Sequence, residues 1–196
     1  PLGIEGGRTH SVGLAMVYDA LDFAPNPRKG TYHELFFNWS TPLLSSDYNF
    51  LRSTYTFRHF WNLRPRLTLA HRTLFEALSG QVPFFELGAV GGTESTIGFG
   101  GDKFLRGYQS NRFIDHLKLA LGWELRWEVI KFTWAKQKLD IFLVPWIDIG
   151  RVWDKFFPLQ LGTLHASTGW GTRISWNDRF IVRSDFALTP EGSALY

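Results

Sequence analysis

The sequence predicts an all-β protein, an antiparallel transmembrane β-barrel of about eight strands. Apolar residues recur with a period of two, which places successive side chains on opposite faces of a strand. Aromatic residues make up 17% of the chain and include nine Trp and eighteen Phe, an abundance typical of surfaces that meet lipid headgroups. The longest apolar run, Ile141 to Ile147, is far shorter than the roughly 20 residues of a membrane helix.

Alternation is most regular between Leu117 and Val129, where it defines two faces. One face is apolar and comprises Leu117, Leu119, Leu121, Trp123, Leu125, Trp127 and Val129. The other face is small or charged and comprises Lys118, Ala120, Gly122, Glu124, Arg126 and Glu128. The same pattern predicts strands around Val12 to Asp19, Leu51 to Arg58, Leu139 to Gly150, Leu164 to Trp176 and Phe180 to Leu188.

Turn-forming residues separate these strands. Turns are predicted at Pro25 to Gly30, at Asn177-Asp178 and at Pro190-Glu191-Gly192. The segment Gly192 to Tyr196 would add a ninth strand. Because an odd number of strands cannot leave both ends of the chain on one side of the membrane, we favour eight strands, the smallest bacterial barrel that closes.

A soluble β-sandwich or a lipocalin-like barrel also has alternating strands, with the apolar face as its core. The apolar face here carries Trp at its ends, at Trp123, Trp127, Trp170 and Trp176, while the opposite face is small and glycine-rich. This arrangement is typical of a membrane barrel, whose apolar face is the outside and whose aromatic residues lie at the interfaces.

The parity of the strands directs many charged side chains into the interior of the barrel. The predicted inward cations are Arg52, Arg58, Arg66, Arg72, Lys118, Arg126, Arg173 and Arg183, and the predicted inward anions are Glu34, Glu76, Glu124, Glu128, Asp140, Asp148 and Asp185. Buried charges must pair, because an isolated one costs several kcal/mol. The near balance of the two signs favours a salt-bridged plug over an ion-selective channel.

Composition places further bounds on the chain. Its 196 residues and lack of low-complexity segments predict one domain, residues 1–196. With no Cys, disulfides and thiolate metal sites are excluded. The net charge of +3 is spread along the chain and does not indicate a nucleic-acid partner. The chain begins at Pro1 without a signal peptide, which we interpret as a trimmed or processed end.

One predicted loop contains an arginine among glycines, with the sequence Gly100-Gly101-Asp102-Lys103-Phe104-Leu105-Arg106-Gly107-Tyr108. It resembles the GG…(V/L)RG(Y/F) loop of the bacterial surface antigen superfamily, the outer-membrane β-barrels that include BamA, TamA and FhaC. Two further motifs appear in the family's order. Pro83-Phe84-Phe85-Glu86 with Leu87-Gly88 resembles the "PFYE…F.LGG" segment, and residues 146–154 resemble the "F.D.G.VWD" strand.

The resemblance covers only the C-terminal half of the family's barrel. The periplasmic POTRA modules of the family have no counterpart in these 196 residues. The resemblance implies a bacterial outer-membrane location, contact with outer-membrane lipids and client proteins, and a role in protein insertion or translocation without catalysis or a cofactor. It also implies that Arg106 folds inward and pairs with Asp148 and with Glu124, which parity independently directs inward. Since an eight-stranded interior is narrow, the loop is expected to reach only the outer mouth.

Two other classes of function stay open. A structural or oligomerising membrane anchor would need no insertase activity, and two chains could assemble into one wider barrel. A lipid-modifying enzyme would need a nucleophile and a base, for which Ser167 and His165 with Asp185 or Glu124 are the available candidates. The six His residues show no zinc-binding spacing, and no hydrolase or nucleotide-binding motif is found.

Overall fold

The computed structural model describes residues 1–23, 25–93, 96–155, 164–177 and 180–196. In chain order its strands are β1 (Ser11–Asp19), β2 (Gly30–Ser40), β3 (Phe50–Arg64), β4 (Leu67–Gly80), β5 (Ala89–Val90), β6 (Thr96–Ile97), β7 (Leu117–Trp134), β8 (Gln137–Trp153), β9 (His165–Trp176), β10 (Phe180–Thr189) and β11 (Gly192–Leu195). A short 3-10 helix covers Pro42–Leu44 and the helix α1 covers Phe84–Leu87. Among the described residues, no helix is long and apolar enough to span a membrane.

Nine of the described strands form one antiparallel sheet in the order β1-β2-β3-β4-β7-β8-β9-β10-β11, and β5 and β6 form a separate pair. The all-β antiparallel prediction is confirmed. The sheet has one strand more than the favoured eight, because Gly192–Leu195 pairs with Phe186 to Thr189. Within the described residues, β1 pairs only with β2 and β11 only with β10, so both remain edge strands.

The two faces of the sheet follow the predicted parity. On β7, Lys118 is fully buried on the concave side, whereas Trp127 is 51% exposed on the outer side. The outer face exposes large apolar side chains that include Val12, Leu14, Met16, Trp39, Leu51, Trp61, Leu143, Ile147, Trp170, Ile174, Trp176, Val182 and Leu188. A soluble protein would bury this face, so the exposed apolar surface agrees with a sheet that faces lipid.

Short turns connect the strands where the sequence provides turn residues. The two-residue turn between β7 and β8 places both Ala135 and Lys136 at positive φ, 49° and 64°, as a type I′ hairpin requires. The predicted turn at Pro190-Glu191-Gly192 joins β10 to β11. Asn177 follows β9 with φ 51°, while Asp178, the second residue of that predicted turn, lies outside the described residues.

Most of the predicted inward charges are buried on the concave face, among them Arg52, Glu76, Glu128, Asp140 and Asp185. Arg66 lies in the turn between β3 and β4, and its side chain is 61% exposed although its Nε lies 3.9 Å from Oε1 of the inward Glu128.

The long segment between β4 and β7 covers residues 81–116, and its described residues, 81–93 and 96–116, pack on the concave face of the sheet. A buried cluster joins it to the strands and comprises Leu74, Val90, Phe99, Phe104, Leu105, Tyr108, Phe113 and Ala120. Phe99 and Phe104 stack with their ring centroids 5.8 Å apart. The expectation that this loop reaches only the outer mouth is therefore wrong, because Phe104 and Leu105 share one buried cluster with Leu74 of β4 and Ala120 of β7.

Candidate functional site

The loop that carries Arg106 reverses direction tightly, and hydrogen bonds between its own backbone groups stabilise the turn. The Gly100 N–H donates to the Phe104 carbonyl at 2.9 Å, and the Gly101 N–H donates to the Tyr108 carbonyl at 2.8 Å. Gly100 has φ 114°, and a Cβ there would lie 2.1 Å from the Gln109 carbonyl oxygen. Only glycine fits this position, and the turn it allows aims Arg106 at the sheet.

Arg106 binds Asp148 of β8 with two parallel hydrogen bonds. Its Nε donates to Asp148 Oδ2 at 2.8 Å and its Nη2 donates to Oδ1 at 2.9 Å, while the Arg106 backbone N–H also donates to Oδ2 at 3.2 Å. Both residues are only 1% exposed. This two-point geometry uses the planar fork of arginine, which a lysine cannot reproduce.

Two more carboxylates share the remaining nitrogen of the guanidinium. Arg106 Nη1 donates to Glu124 Oε1 of β7 at 2.8 Å and to Asp185 Oδ2 of β10 at 3.3 Å. The guanidinium carbon lies 3.9 Å from the ring centroid of Trp146, within cation–π range. Sequence reasoning directed Asp185 inward but did not pair it with Arg106.

Further arginines surround the same carboxylates. Arg126 contacts Glu124 at 3.0 Å, Arg173 contacts Asp185 at 2.5 Å, and Arg183 contacts Asp185 at 2.7 Å. Arg72 lies 4.0 Å from Asp148. Asp148, Glu124 and Asp185 thus each interact with more than one guanidinium, and the set forms one connected ionic network, here called the arginine cluster.

The charge of Arg106 is strongly favoured despite its burial. Burial alone lowers the pKa of Arg106, but the hydrogen bonds and charges of Asp148, Glu124 and Asp185 outweigh it and raise the pKa above its usual range. The side chain is therefore cationic at neutral pH. Removing one member of a buried ionic network leaves uncompensated charge, which costs about 3–5 kcal/mol.

The neighbours of Arg106 in the motif fix the rest of the loop. Leu105 is fully buried and lies over Gly150 of β8, where a Cβ would approach Leu105 Cδ1 to 3.2 Å. The Tyr108 hydroxyl donates to the Ala166 carbonyl of β9 at 3.1 Å. The Gly107 N–H donates to the Tyr196 hydroxyl at 3.2 Å, so the loop also contacts the C-terminal edge of the sheet.

A second ionic cluster, Arg52, Glu76 and Lys118, holds the beginning of the loop. Lys118 Nζ donates to Glu76 Oε1 at 2.6 Å, and Lys118 and Glu76 are fully buried. All three side chains reach the loop: Lys118 donates to the Ala89 carbonyl at 2.6 Å, Arg52 to the same carbonyl at 2.8 Å, and Glu76 accepts from the Gly91 N–H at 2.6 Å.

Arg52 also binds Glu86, the acidic residue of the Pro-Phe-Phe-Glu segment, at 2.9 Å. Sequence parity directed Arg52, Glu76 and Lys118 into the interior, but their shared role was missed. Glu86 was the available signal, since the motif that contains it lies in the first part of the loop.

The candidate hydrolytic residues are not arranged for catalysis. His165 stacks on Phe113 of the loop, with their ring centroids 4.1 Å apart. The Ser167 hydroxyl is buried without a hydrogen-bond partner among the described residues, and Asp185 is bound by arginines. A nucleophilic serine needs a base within hydrogen-bond reach, and the structure does not bring His165 to Ser167 in this way.

Comparisons with known proteins agree with the fold and the motifs. The Omp85 superfamily domain matches residues 7–189. The outer membrane protein assembly factor BamA of Nitratidesulfovibrio vulgaris (strain Hildenborough) is 27% identical over 157 residues, which cover 76% of this chain and 19% of that protein. The crystal structure of BamA from Haemophilus ducreyi lacking POTRA domains 1–3 is similar with a TM-score of 0.70 and 13% identity, over 95% of this chain and 40% of that one.

The chain therefore spans less than half the length of either BamA protein. The structural likeness, at 13% identity, concerns the fold alone. The domain match extends over nearly the whole chain, from the segment before β1 to the end of β10. It includes all three motifs and every residue of the arginine cluster. The chain belongs to the Omp85 superfamily of outer-membrane β-barrel proteins.

Proposed function

We propose that this chain forms the wall and the inward-folded loop of a barrel that inserts other proteins into the outer membrane. The observation that carries the proposal is Arg106, whose one buried guanidinium bonds to carboxylates on β7, β8 and β10. A side chain that ties three strands to one loop sets the curvature of the sheet beside its C-terminal edge. This chain covers only 19% and 40% of the two similar BamA proteins. Their activity therefore does not transfer directly, and insertion by this chain is proposed.

The edge strands supply the surface on which a client strand would act. The β1 residues Val12, Leu14 and Met16 are exposed on one face, and Val17 is 52% exposed on the other. The outer backbone groups of an edge strand can pair with an added strand by β-augmentation. At the other edge, β11 (Gly192–Leu195) pairs with Phe186 to Thr189 of β10.

The Arg106 loop connects the arginine cluster to the edge of the sheet formed by β11. Gly107 donates to the Tyr196 hydroxyl, and that hydroxyl donates to the Tyr108 carbonyl at 3.4 Å. We infer that the loop holds β11 in register and that its position determines how readily the edge accepts a client strand.

Insertion is tested by folding a client into vesicles. Lipid vesicles that contain this protein are compared with empty vesicles and with vesicles that contain an unrelated closed barrel. An outer-membrane protein unfolded in urea is added, and its insertion is followed on a gel by the appearance of its folded band. Faster insertion than in both controls supports the proposal, and equal rates reject insertase activity for this chain.

A structural or oligomerising anchor is the second candidate function, and the exposed apolar face of the sheet, which suits contact with lipid, favours it. Such a protein would assemble with itself or hold a partner without speeding client insertion. A lipid-modifying activity would instead appear as new lipid species by mass spectrometry in vesicles that contain the protein. The arrangement of His165 and Ser167 gives no support for that activity.

A further inference from the structure

We propose that Asp115, His116 and Asp154 form a binding site for a transition-metal ion, with Zn²⁺ as the ion that the donors fit best. One ring nitrogen and two carboxylates meet here, and their donor atoms all lie within 4.8 Å of one another. The site lies apart from the arginine cluster and does not depend on the proposed insertase function.

The two distances from the ring nitrogen are compatible with a shared ion, although Asp115 Oδ1 also accepts a hydrogen bond from the His116 backbone N–H at 2.9 Å. His116 Nδ1 lies 3.3 Å from Asp115 Oδ1 and 3.4 Å from Asp154 Oδ1. Zinc bonds of about 2.0–2.2 Å in a tetrahedron place neighbouring donors about 3.3–3.6 Å apart. A direct ionic hydrogen bond would bring nitrogen and oxygen to about 2.7–2.9 Å.

Paired strands fix the positions of these donors. Asp115 and His116 directly precede β7, and Asp154 directly follows β8. The first residue of β7, Leu117, is the register partner of the last residue of β8, Trp153. The His116 carbonyl accepts from the Leu78 N–H at 2.8 Å, so its backbone is also joined to β4.

The chemistry of the donors selects the class of ion. Imidazole with carboxylates suits zinc and similar divalent metals, whereas calcium and magnesium take oxygen donors alone. The Asp154 side chain is 67% exposed and the other two are about half as exposed, which gives an ion access and leaves room for water as a fourth ligand. The spacing of His residues along the sequence did not reveal the site, because the donors come from two different strand ends.

A bound ion would fasten the returning end of the loop to the end of β8. Residues 81–116 leave the sheet at β4 and return at His116, so the site lies where the loop ends. The ion would then hold this end as the Arg52–Glu76–Lys118 cluster holds the beginning. Because binding to the folded state alone stabilises it, Zn²⁺ should raise the temperature at which the protein unfolds.

The test is a calorimetric titration of untagged, detergent-solubilised protein with ZnCl₂. We expect one saturable site, and a loss of affinity of at least about tenfold in His116→Ala and in Asp154→Asn, since even residues behind a ligand change metal affinity 10–100-fold. Glu5→Gln removes an exposed carboxylate in the N-terminal segment and should bind like the wild type.

Asp154 is largely exposed, so its variant keeps the test decisive if His116→Ala does not fold. Tetrahedral Co²⁺ absorption bands that disappear in Asp154→Asn would support the site independently. The proposal is overturned if the wild type shows no saturable binding, or if both variants bind Zn²⁺ as the wild type does. Neither outcome bears on client insertion, which the vesicle assay measures without added metal.

Discussion

At the scale of single residues, Arg106 joins the loop to three strands of the sheet. It is 1% exposed and meets Asp148, Glu124 and Asp185 at once. Replacing it with Ala should destabilise the folded state by about 3–5 kcal/mol, because the three carboxylates lose their shared cation. Arg106→Lys should be destabilised less than Arg106→Ala but should stay below the wild type in stability, because one ammonium cannot form the two parallel hydrogen bonds to Asp148.

The measurement for this prediction is the midpoint temperature at which the folded band disappears on a gel. Arg112→Ala is the matched control, since Arg112 lies on the same loop and its pair with Glu191 is nearly half exposed on both sides. Such an exposed pair contributes about 1 kcal/mol or less. Equal midpoints for Arg106→Ala and Arg112→Ala would contradict the role given to Arg106.

Gly107 gives a second prediction at this scale. It has φ 96°, and an added Cβ would lie 2.6 Å from Thr189 Cγ2 and 3.0 Å from Ala187 Cβ. Gly107→Ala should therefore cost more than the roughly 1–2 kcal/mol of a left-handed backbone alone. Gly6→Ala separates the two effects, because Gly6 has φ 86° but nothing within 4 Å. Thermal midpoints that fall equally in both variants would show that the contact with β10 is unimportant.

The sequence predicted the central residues of the site, and the reason is local. The resemblance of the Leu105-Arg106-Gly107-Tyr108 motif to the family's loop implied that Arg106 pairs with Asp148 and Glu124, and the alternation of β7 and β8 independently directed both carboxylates inward. Asp185 was directed inward but not assigned to Arg106, because its approach depends on how far β10 curves around the loop. That curvature is a property of the whole sheet. The functional role of this set stays a prediction.

At the scale of elements, the long loop is held by separate clusters near its two ends. The Arg52–Glu76–Lys118 cluster binds the backbone at Ala89 and Gly91, and the arginine cluster binds Arg106. Between them, Glu34 of β2 accepts from the Thr93 N–H at 2.7 Å and from its hydroxyl at 2.8 Å. The loop is therefore joined to both halves of the sheet.

Glu76→Gln tests the first of these clusters. Glu76 is fully buried and binds the Lys118 ammonium and the Gly91 backbone N–H. The glutamine of the variant carries no charge, so the Lys118 ammonium loses its anionic partner. We expect faster hydrogen exchange at Gly91 and neighbouring residues, with Arg106 contacts on β8 retained. Glu191→Gln changes an exposed acid that contacts the same loop through Arg112. If the two variants exchange alike around Gly91, Glu76 does not hold the loop.

Elements within the main sheet were more predictable than the loop. Alternation identified the strands after residue 116 because each runs long enough to repeat its pattern several times. The segment Gly192 to Tyr196 was counted as a possible ninth strand, and eight were favoured because an odd number cannot leave both chain ends on one side of the membrane; in the structure Gly192–Leu195 does pair with β10. The path of residues 81–116 depends on buried ion pairs between distant segments, which no local pattern reveals.

At the scale of the whole molecule, the number of strands limits how the sheet can close. The first and ninth strands of an alternating sheet run in the same direction, so β1 and β11 could meet only in a parallel seam. An antiparallel seam would need β10 to replace β11 at that edge. The single-domain prediction for residues 1–196 and the state of the seam stay proposals.

Molecular mass and conductance together test how the sheet closes. A monomer in detergent, with the detergent mass subtracted, that does not conduct in a planar bilayer would support closure around the loop. We expect this result, because the loop and its ion clusters occupy the concave face. A dimer with large pores would contradict it and would indicate that two chains complete one wider barrel.

The most direct test of the insertion proposal is the rate of client insertion into vesicles that contain wild-type protein, Arg106→Ala or Arg112→Ala at equal folded amounts. The account predicts that wild type and Arg112→Ala speed insertion equally over empty vesicles, while Arg106→Ala loses most of that acceleration because its loop no longer ties β7, β8 and β10 together. Equal acceleration by all three proteins would contradict the role of the Arg106 loop in insertion.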